Sequence, residues 1–360
     1  MRQLVASCLG VALIACVESG PSDISPTLAV ATATPVRIDL GTLGGFNSFA
    51  TDINASGTVV GYAETPTLEL HAFIWNAQSG MRDLGTLPGD YLSFAHAIDD
   101  AGNVVGSSTS TSGVTTAVMW RPGSPPQPLL DIQLPGVTGM TPLDLNNAGQ
   151  VVGYGIDQNF ELAGWFWSRQ TGTVDLRQPI PSCQFGAAPS AIGPSGTVVG
   201  NYCEPAVGLM HAFVWSPGIP YQDLGVPLGR VNDAHIRAAG INSAGVIAGS
   251  AGPAAASFAS LRPFIWRNTT FTPLAMFSRT DPHGYANGIN DHGLVVGASK
   301  AARSGIIQAA LWTSPSVIIN LNGRDSSFSE AVAINNAGMI AGISRDSGGR
   351  NHATAWVPAP

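Results

Sequence analysis

A segment of about 47 residues is repeated seven times along the chain. Each repeat contains a short apolar stretch that usually ends in Ile-Asn, a turn that closes on glycine, the triplet Val-Val-Gly or a close variant, a variable loop, and an apolar stretch that ends in tryptophan. Successive turn glycines are 45, 47, 47, 49, 48 and 45 residues apart. The turn glycines are Gly57, Gly102, Gly149, Gly196, Gly245, Gly293 and Gly338, and the closing tryptophans are Trp75, Trp120, Trp167, Trp215, Trp266, Trp312 and Trp356. This regularity favours one repeat domain over the two or three domains that a length of 360 residues would suggest.

Four short β-rich segments recur in each repeat, as at residues 50–54, 58–62, 71–75 and 82–87. The first two are separated by Asn-Ala-Ser-Gly or a relative of it, in which Asn or Asp opens a type I turn and Gly takes the left-handed position. Only the fourth repeat departs, with Gly193 in place of the Asn. Four strands in a unit of this length are typical of a propeller blade.

The strands are apolar on both faces, so each sheet must be covered on both sides by neighbouring sheets. Residues 36–43 have a fourth-strand sequence with no first three strands before them, and residues 352–357 have a third-strand sequence with no fourth after them. We therefore predict an all-β fold, a seven-bladed β-propeller of four-stranded antiparallel blades over residues 36–357. The N-terminal strand is predicted to complete the last blade and leave no free sheet edge.

The repeat resembles the bacterial extracellular HAF-repeat family, through His-Ala-Phe at residues 71–73 and 211–213. It is more distantly similar to a kelch blade, with the kelch diglycine reduced to the single Gly of Val-Val-Gly. The resemblance implies a repeat type and carries no activity onto particular residues.

The N-terminus has the pattern of an export signal. Residues 1–15 contain a short positive start and an apolar run too short to span a bilayer, and Cys16 follows directly. Residues 13–16, Leu-Ile-Ala-Cys, resemble the lipobox of bacterial lipoproteins, which implies acylation of Cys16 and a flexible tether over residues 16–35. The expected location is the bacterial outer membrane or cell surface; the alternative is an ordinary cleaved signal with an incidental cysteine.

Two cysteines, Cys183 and Cys203, remain in the exported part. An even count in an oxidising compartment predicts one disulfide, and the intervening hairpin turn at residues 193–196 would bring both to the same end. The alternative is two free buried thiols.

Charge limits the possible partners. Charged residues are 11% of the chain, the formal net charge is −7, and Lys300 is the only lysine. Without a cluster of basic residues nucleic acid is not an expected partner. We expect no cofactor, a monomer, and contact with membrane only through the lipid anchor.

Three histidines at one repeat position, His71, His211 and His352, could suggest a metal site. Equivalent positions in adjacent blades lie about a sheet spacing of 10 Å apart, too far for one ion. We interpret them as strand-end residues that bond to backbone. The Asn-rich turns also lack the ladder of Asp residues ending in Glu that calcium loops use.

No local catalytic motif occurs in the sequence. The loops that enter the first strands differ from repeat to repeat, which is expected of a face that binds a ligand, although ordinary solvated loops are the alternative. The candidate residues there are Phe46, Asn47, Tyr91, His235, Arg237, Asp281, His283, Tyr285 and Glu330, with Trp165 added as a rim residue outside the repeated Trp position. The favoured function is a surface- or periplasm-tethered, non-catalytic binding or adhesion module for a glycan, peptide or partner protein. The alternative is a glycan hydrolase or lyase that uses Asp281, His283, Tyr285 and Glu330.

Overall fold

The repeats fold into β-strands. The computed structural model describes residues 35–177, 186–206, 208–226, 234–253, 260–323, 325 and 327–359, and these contain 28 strands and no α-helix. Accordingly, no helix in the described part of the chain is long and apolar enough to cross a membrane.

Each repeat contributes a first, second, third and fourth strand. The first strands are β2 (Ser48–Ile53), β6 (Asp90–Ile98), β10 (Val137–Leu145), β14 (Gly186–Ile192), β18 (Ala234–Ile241), β22 (Gly284–Ile289) and β26 (Ser329–Ile334). The second strands are β3 (Val59–Glu64), β7 (Val104–Ser110), β11 (Val151–Asp157), β15 (Val198–Cys203), β19 (Ile247–Pro253), β23 (Val295–Lys300) and β27 (Ile340–Arg345). The third strands are β4 (Leu70–Asn76), β8 (Thr115–Trp120), β12 (Leu162–Ser168), β16 (Met210–Ser216), β20 (Arg262–Arg267), β24 (Ile307–Ser314) and β28 (Asn351–Val357). The fourth strands are β5 (Gly80–Asp83), β9 (Gln127–Pro128), β13 (Gly172–Asp175), β17 (Ile219–Asp223), β21 (Thr270–Pro273), β25 (Val317–Asn320) and β1 (Val36–Asp39).

The strands of one repeat pair antiparallel in the order first, second, third, fourth, and we call each such group a blade. In the described residues they form five separate four-stranded sheets and one eight-stranded sheet. The eight-stranded sheet joins the third and fourth repeats through a short parallel pairing of β12 with β14, at Leu162 with Gly186 and Ala163 with Ala187.

The N-terminal strand completes the last blade, as predicted. β1 pairs antiparallel with β28, with Val36 opposite Val357 and Asp39 opposite Thr354. The strand is shorter than the predicted 36–43 because the Asp39 carboxylate accepts the N–H of Gly41 at 2.9 Å and turns the chain. The fourth strand of the first repeat likewise ends at Asp83, before most of the predicted segment 82–87.

Every first strand carries a β-bulge at the same place. In the first repeat Ala50 lies opposite Gly61 and Asp52 opposite Val60, so Thr51 is the extra residue. The other six pairs shift register at the corresponding residues. A bulge turns an additional side chain towards the face it would otherwise leave. As a result, two consecutive residues of each first strand face the centre of the molecule.

The bulge explains the glycine of Val-Val-Gly. A Cβ on Gly61 would lie 2.0 Å from the carbonyl oxygen of Phe49, and a Cβ on Gly106 would lie 1.9 Å from that of Phe94. A Cβ added to any of the five remaining glycines at this position would lie 2.0–2.4 Å from the equivalent carbonyl oxygen. Only glycine permits this approach of the two strands.

The hydrophobic core lies between blades. Each cluster of buried side chains contains residues of two consecutive repeats. One further cluster contains residues of the last and the first repeat, with Ala353 and Ala355 beside Phe73 and Trp75. The predicted burial on both faces of the third strand is confirmed, since Ala72 and Phe73 are both fully buried.

Asparagines also tie neighbouring blades together. The Asn that opens the turn in five repeats donates a side-chain N–H to the backbone oxygen at the same position of the next repeat, at 3.0–3.1 Å. The last of these bonds runs from Asn335 to Asn54 and joins the final repeat to the first. The asparagine also stabilises the turn that it opens, as predicted, since the Asn54 side-chain oxygen accepts the N–H of Thr58 at 3.0 Å.

Candidate functional site

The first strands surround a central channel with two cavities. The upper cavity has a volume of about 620 Å³ and the lower one about 250 Å³. The upper cavity is lined by both bulge residues of every repeat. The first of each pair is Thr51, His96, Leu143, Ser190, Ala239, Asn287 or Val332, and the second is Asp52, Ala97, Asp144, Ala191, Gly240, Gly288 or Ala333.

The lower cavity has a more uniform wall. A ring of aliphatic side chains, one from each repeat, follows the bulge and lines it: Ile53, Ile98, Leu145, Ile192, Ile241, Ile289 and Ile334. The turn asparagines lie below this ring. The wall therefore repeats from blade to blade below the bulge and varies at the bulge itself.

Two carboxyl groups, Asp52 and Asp144, line both cavities and therefore lie at the junction between them. Asp52 accepts the N–H groups of Ile53 at 2.7 Å and of Ile98 in the next blade at 2.9 Å. Asp144 likewise accepts the N–H groups of Leu145 and of Ile192 in the next blade, both at 2.8 Å. Both carboxyl groups thus tie adjacent blades together.

Both acids are partly buried and line the channel. Burial raises the pKa of Asp52 to about 7, against the lowering effect of its two backbone bonds. Burial, with repulsion from Asp52, raises the pKa of Asp144 to about 8. Near neutral pH each therefore exists in both protonation states.

His96 lies in the blade between those of Asp52 and Asp144. Its imidazole lines the upper cavity and makes no hydrogen bond with the described part of the chain. Burial lowers its pKa to about 4, so the ring is neutral at neutral pH and one ring nitrogen is an acceptor.

Across the upper cavity the later repeats supply other polar groups. Glu330 accepts a hydrogen bond from the Asn287 side chain at 2.9 Å. Burial and the Glu330 carboxylate raise the pKa of Tyr285. Arg237 lines the cavity, is exposed to solvent, and forms no ion pair with the described residues.

The four residues of the enzyme alternative do not gather in this cavity. Glu330 lines it and Tyr285 lies beside Glu330, whereas Asp281 and His283 do not line it. Asp281 is largely exposed and pairs with Lys300. His283 packs edge-to-face against Tyr285, with ring centroids 6.0 Å apart. Of these four residues only Glu330 brings a carboxylate to the cavity, so they do not form the pair of facing carboxyl groups that glycoside hydrolysis uses.

The other loop candidates lie in different surroundings. Phe46 is half exposed, and the Arg350 guanidinium stacks on it at 4.5 Å from the ring centroid. Asn47 bonds the Glu64 carboxylate at 2.9 Å. Tyr91 is exposed, while the ring of His235 accepts the N–H of Met210 at 3.2 Å.

Trp165 is not a rim residue, and that expectation is wrong. Its indole is fully buried in the core between the second and third repeats, and Trp167 is the partly exposed one. A Cβ on Gly153 would touch the Trp165 ring at 2.4 Å, so the indole covers this glycine. Trp165 is therefore a core residue, whereas the closing Trp167 of the same repeat packs against that core only in part, and Trp165 is not available to a ligand.

The three repeated histidines bond to carboxylates rather than to backbone. The Nδ1 atoms of His71 and His211 lie 2.8 Å from Asp83 and Asp223, and His352 makes the same contact with Asp39. The Asp in each pair also accepts an N–H of the Gly two residues on. Strand pairing brings the side chains together across the outer pair of strands. The histidines thus fasten the outer strands of their own blades.

Cys203 is disulfide-bonded. Cys183, its predicted partner, lies outside the described residues, as does Cys16.

Sequence reasoning missed Asp52, His96 and Asp144. Asp52 and Asp144 directly precede the Ile-Asn and Leu-Asn of their repeats, and His96 lies two residues before the Ile-Asp of the second repeat. Most repeats carry small or apolar residues at these positions. The sequence signal for these residues is a titratable side chain at a position that is small or apolar in most other repeats. That signal does not identify the site by itself, because strand alternation without a bulge does not place both bulge residues on the channel.

No protein-family model and no curated protein sequence matches the chain. Solved structures do. The chain is similar to the β-propeller domain of the trilobed protease from Pyrococcus furiosus, with a TM-score of 0.58 and 10% identity over 87% of this chain and 96% of that one. It is similar to an acylaminoacyl peptidase from Pyrococcus horikoshii, with a TM-score of 0.57 and 9% identity over 89% of this chain and 53% of that one. It is also similar to the BP39L lectin from Burkholderia pseudomallei, with a TM-score of 0.50 and 11% identity over 88% of this chain and 97% of that one.

At these identities the likeness concerns the fold alone. Together with blades of four antiparallel strands around a channel, it defines the class of the protein: an all-β propeller. The neighbours include both a lectin and peptidases, so the fold by itself does not select a function.

Proposed function

We propose that the chain is a seven-bladed, closed β-propeller that binds a ligand in the upper cavity of its central channel and catalyses no reaction. Seven blades are supported by the seven repeats, and by core clusters that each join two consecutive repeats. Closure is supported by the pairing of β1 with β28 and by the bond from Asn335 to Asn54.

The observation that carries the binding function is the contrast between a constant frame and a variable cavity wall. The glycine beneath each bulge and the aliphatic residue after it recur in all seven repeats. The bulge residues between them differ from repeat to repeat, and in the second repeat they include His96, a partly buried imidazole that lines the cavity. A variable wall within a constant scaffold is expected of a surface that binds a ligand.

The ligand classes we propose are a glycan, a peptide or a segment of a partner protein. A lectin is among the solved propellers similar to this chain, which supports testing glycans first. The cavity, at about 620 Å³, is within the usual size of a small-ligand site.

We propose further that the protein belongs to the HAF-repeat type and is exported and anchored by a lipid on Cys16. The support is sequence alone: the apolar run, the Leu-Ile-Ala-Cys motif and the His-Ala-Phe repeats. In a bacterial host a fatty-acid probe should label the parent protein and not Cys16→Ser, and the variant should leave the membrane fraction. Equal membrane fractionation of the two would contradict lipid anchoring.

A glycan array followed by a peptide library, probed with purified protein, tests the binding function. Ala239→Phe should fill the upper cavity and weaken binding of any ligand found by at least about tenfold, since one ring occupies the space of the ligand. Ala77→Phe, which adds the same ring to an exposed turn, is the matched control and should bind as the parent does. Equal binding by both variants would place the ligand elsewhere and refute the channel as the site.

A further inference from the structure

A cleft separate from the channel lies between the first and second repeats. Its volume is about 570 Å³, and its walls include Arg82 and Asp83 of the first repeat and Trp120 and Arg121 of the second. It shares no lining residue with the upper cavity, so a ligand in the cleft would be additional to the one proposed for the channel. A cavity of this size is within the usual range of small-ligand sites.

Hydrogen bonds between the two repeats hold the walls of the cleft in place. The indole N–H of Trp120 donates to the carbonyl oxygen of Gly85 at 3.3 Å, and thus joins the segment before Arg121 to the segment that follows Arg82. At the turns, the N–H of Ala55 donates to the Asp100 carboxylate at 2.8 Å. The cleft is therefore formed by the fold itself, and a preformed site lowers the cost of ordering on binding.

The carboxylates of the cleft already have partners. One oxygen of Asp83 lies 2.8 Å from Nδ1 of His71, and the other accepts the N–H of Gly85 at 2.6 Å. The second oxygen of Asp100 accepts a side-chain N–H of Asn147 at 2.6 Å. All four carboxylate oxygens are therefore engaged by neighbouring groups, and none of these groups is an arginine.

The donors of the cleft are left unused. The guanidinium groups of Arg82 and Arg121 form no hydrogen bond or ion pair with the described residues. Asn76 also lines the cleft, and its side-chain oxygen accepts the N–H groups of Gln78 and Ser79 at 3.0 and 2.9 Å. Its amide N–H groups remain free to donate. The unused charged and amide groups of the wall are therefore donors, and a ligand must supply the acceptors.

The pair of arginines is specific to this interface. Arg82 lies opposite the residue that precedes the closing tryptophan, and Arg121 follows the closing tryptophan of the next repeat. At the six other interfaces between described strands the same two positions hold at most one arginine. The corresponding pairs are Gln127 with Ser168, Val174 with Ser216, Gln222 with Arg267, Thr272 with Thr313, Ile319 with Val357, and Ile38 with Asn76. The repeated frame alone therefore does not account for two cations in one cleft.

We propose that this cleft binds a small ligand through a carboxylate or phosphate group, with Arg82 and Arg121 as its cationic donors. The planar guanidinium group matches the geometry of both oxyanions and can bind either with two parallel hydrogen bonds. An ionised carboxylate offers acceptors only, which matches the unused donors of the wall. Since the chain has a formal net charge of −7, attraction of an anion depends on this local pair and not on the overall charge.

Calorimetry with inorganic phosphate, glucuronate and glucose 6-phosphate tests the proposal. Glucose, which has the same ring without the charge, is the control ligand. We expect saturable binding of at least one of the three anions and none of glucose at the same concentrations. The affinity should fall as sodium chloride is raised, because both arginines are exposed and their charges are screened. A preference for glucuronate or for glucose 6-phosphate identifies the oxyanion as a carboxylate or a phosphate.

Variants locate the anion. Arg82→Gln and Arg121→Gln should each weaken anion binding by about tenfold or more, since each removes charge-assisted hydrogen bonds. Arg267→Gln is the matched control, because Arg267 is the exposed counterpart of Arg121 at an interface whose other position is Gln222. It should bind within about twofold of the parent. Circular dichroism confirms that each variant is folded, and a rise in the melting temperature of the parent with the anion provides a measurement that needs no variant.

The outcomes separate this site from the channel. Equal affinity for glucose and the anions, or no saturable binding of any of the three anions, would overturn the cleft proposal. An equal loss of affinity in Arg267→Gln would also overturn it, since the arginine pair would then not be the cause. If Ala239→Phe abolishes anion binding while both cleft variants retain it, the anion binds in the upper cavity: the cleft proposal fails and the proposed channel site stands. Anion binding that is lost in both cleft variants and kept in Ala239→Phe supports the cleft, whatever ligand the channel binds.

Discussion

Replacing the glycine of Val-Val-Gly by alanine should destabilise the whole propeller. A Cβ on Gly61 would lie 2.0 Å from the carbonyl oxygen of Phe49 and 2.9 Å from Cα of Ala50. Carbon–oxygen contacts between strands are normally about 3.3 Å or longer, so the two strands would have to separate by about 1.3 Å. The ladder bonds around the bulge would then lengthen beyond hydrogen-bonding range.

The magnitude follows from two contributions. Overpacking in a close-packed interior costs about 1–3 kcal/mol, and each ladder bond lost adds about 1 kcal/mol. We therefore expect Gly61→Ala to lower the free energy of unfolding by at least about 3 kcal/mol. With a urea dependence of about 3 kcal/mol per molar, the midpoint should fall by about 1 M or more. Tryptophan fluorescence suits the assay because six of the seven closing indoles are buried.

Gly193→Ala is the matched control. Its Cβ would meet nothing nearer than the Ile241 side chain at 3.4 Å, an ordinary contact, and its backbone is not left-handed. Alanine there should leave the free energy of unfolding unchanged or raise it by up to about 1 kcal/mol, because alanine lowers the conformational entropy of the unfolded chain. If the two variants unfold at the same urea concentration, the close approach at the bulge does not explain the glycine.

Three further predictions concern stability. Because the folded-state pKa values of Asp52 and Asp144, about 7 and about 8, lie above the unfolded value near 3.8, their contribution is greatest below pH 4 and is lost as pH rises to about 8. The free energy of unfolding, measured by urea titration, should therefore fall as pH rises from about 4 to about 8, by up to about 1.4 kcal/mol per pH unit and carboxyl group, and Asp144→Asn should flatten this slope; an equally steep fall in the variant would contradict the assignment. Trp165→Ala should cost about 3–5 kcal/mol and Trp167→Ala clearly less, since only the first indole is fully buried, and melting temperatures in the opposite order would refute this. Deleting residues 36–43 should lower the melting temperature of the whole domain, because the last blade loses its outer strand, and an unchanged melting temperature would show that β1 is dispensable.

The local chemistry of the repeat predicted much of the fold. Turn residues, alternating strands and the out-of-phase ends act over a few neighbouring residues or over one repeat, so they can be recognised without coordinates. They placed four strands in each blade and paired β1 with β28. The predicted fourth strands extend beyond the observed ones at Asp39 and Asp83, because the turn that each of these carboxylates makes with a following glycine is not visible in the strand pattern.

The candidate site was predicted less well. Loop variability led to Arg237 and Glu330, which do line the cavity, but also to Asp281, which does not. Trp165, chosen because it lies outside the repeated tryptophan position, does not line it either. Position along a loop does not determine where a side chain points. Trp165 matches the apolar pattern of its strand as well as Trp167 does, and only the packing of the neighbouring blade decides which indole is buried.

The sequence by itself determined the repeat, the strand count of each blade and the way the chain returns to its start, because these depend on contacts within or between adjacent strands. Only the tertiary structure decided that Asp52, His96 and Asp144, 44 and 48 residues apart in the chain, line one channel. That meeting depends on a bulge, and the bulge shows in the sequence only as a glycine on the neighbouring strand. The physical reason is that the close approach of the two backbones requires glycine in every blade. It does not restrict the side chains that the bulge turns inward, so these differ from blade to blade.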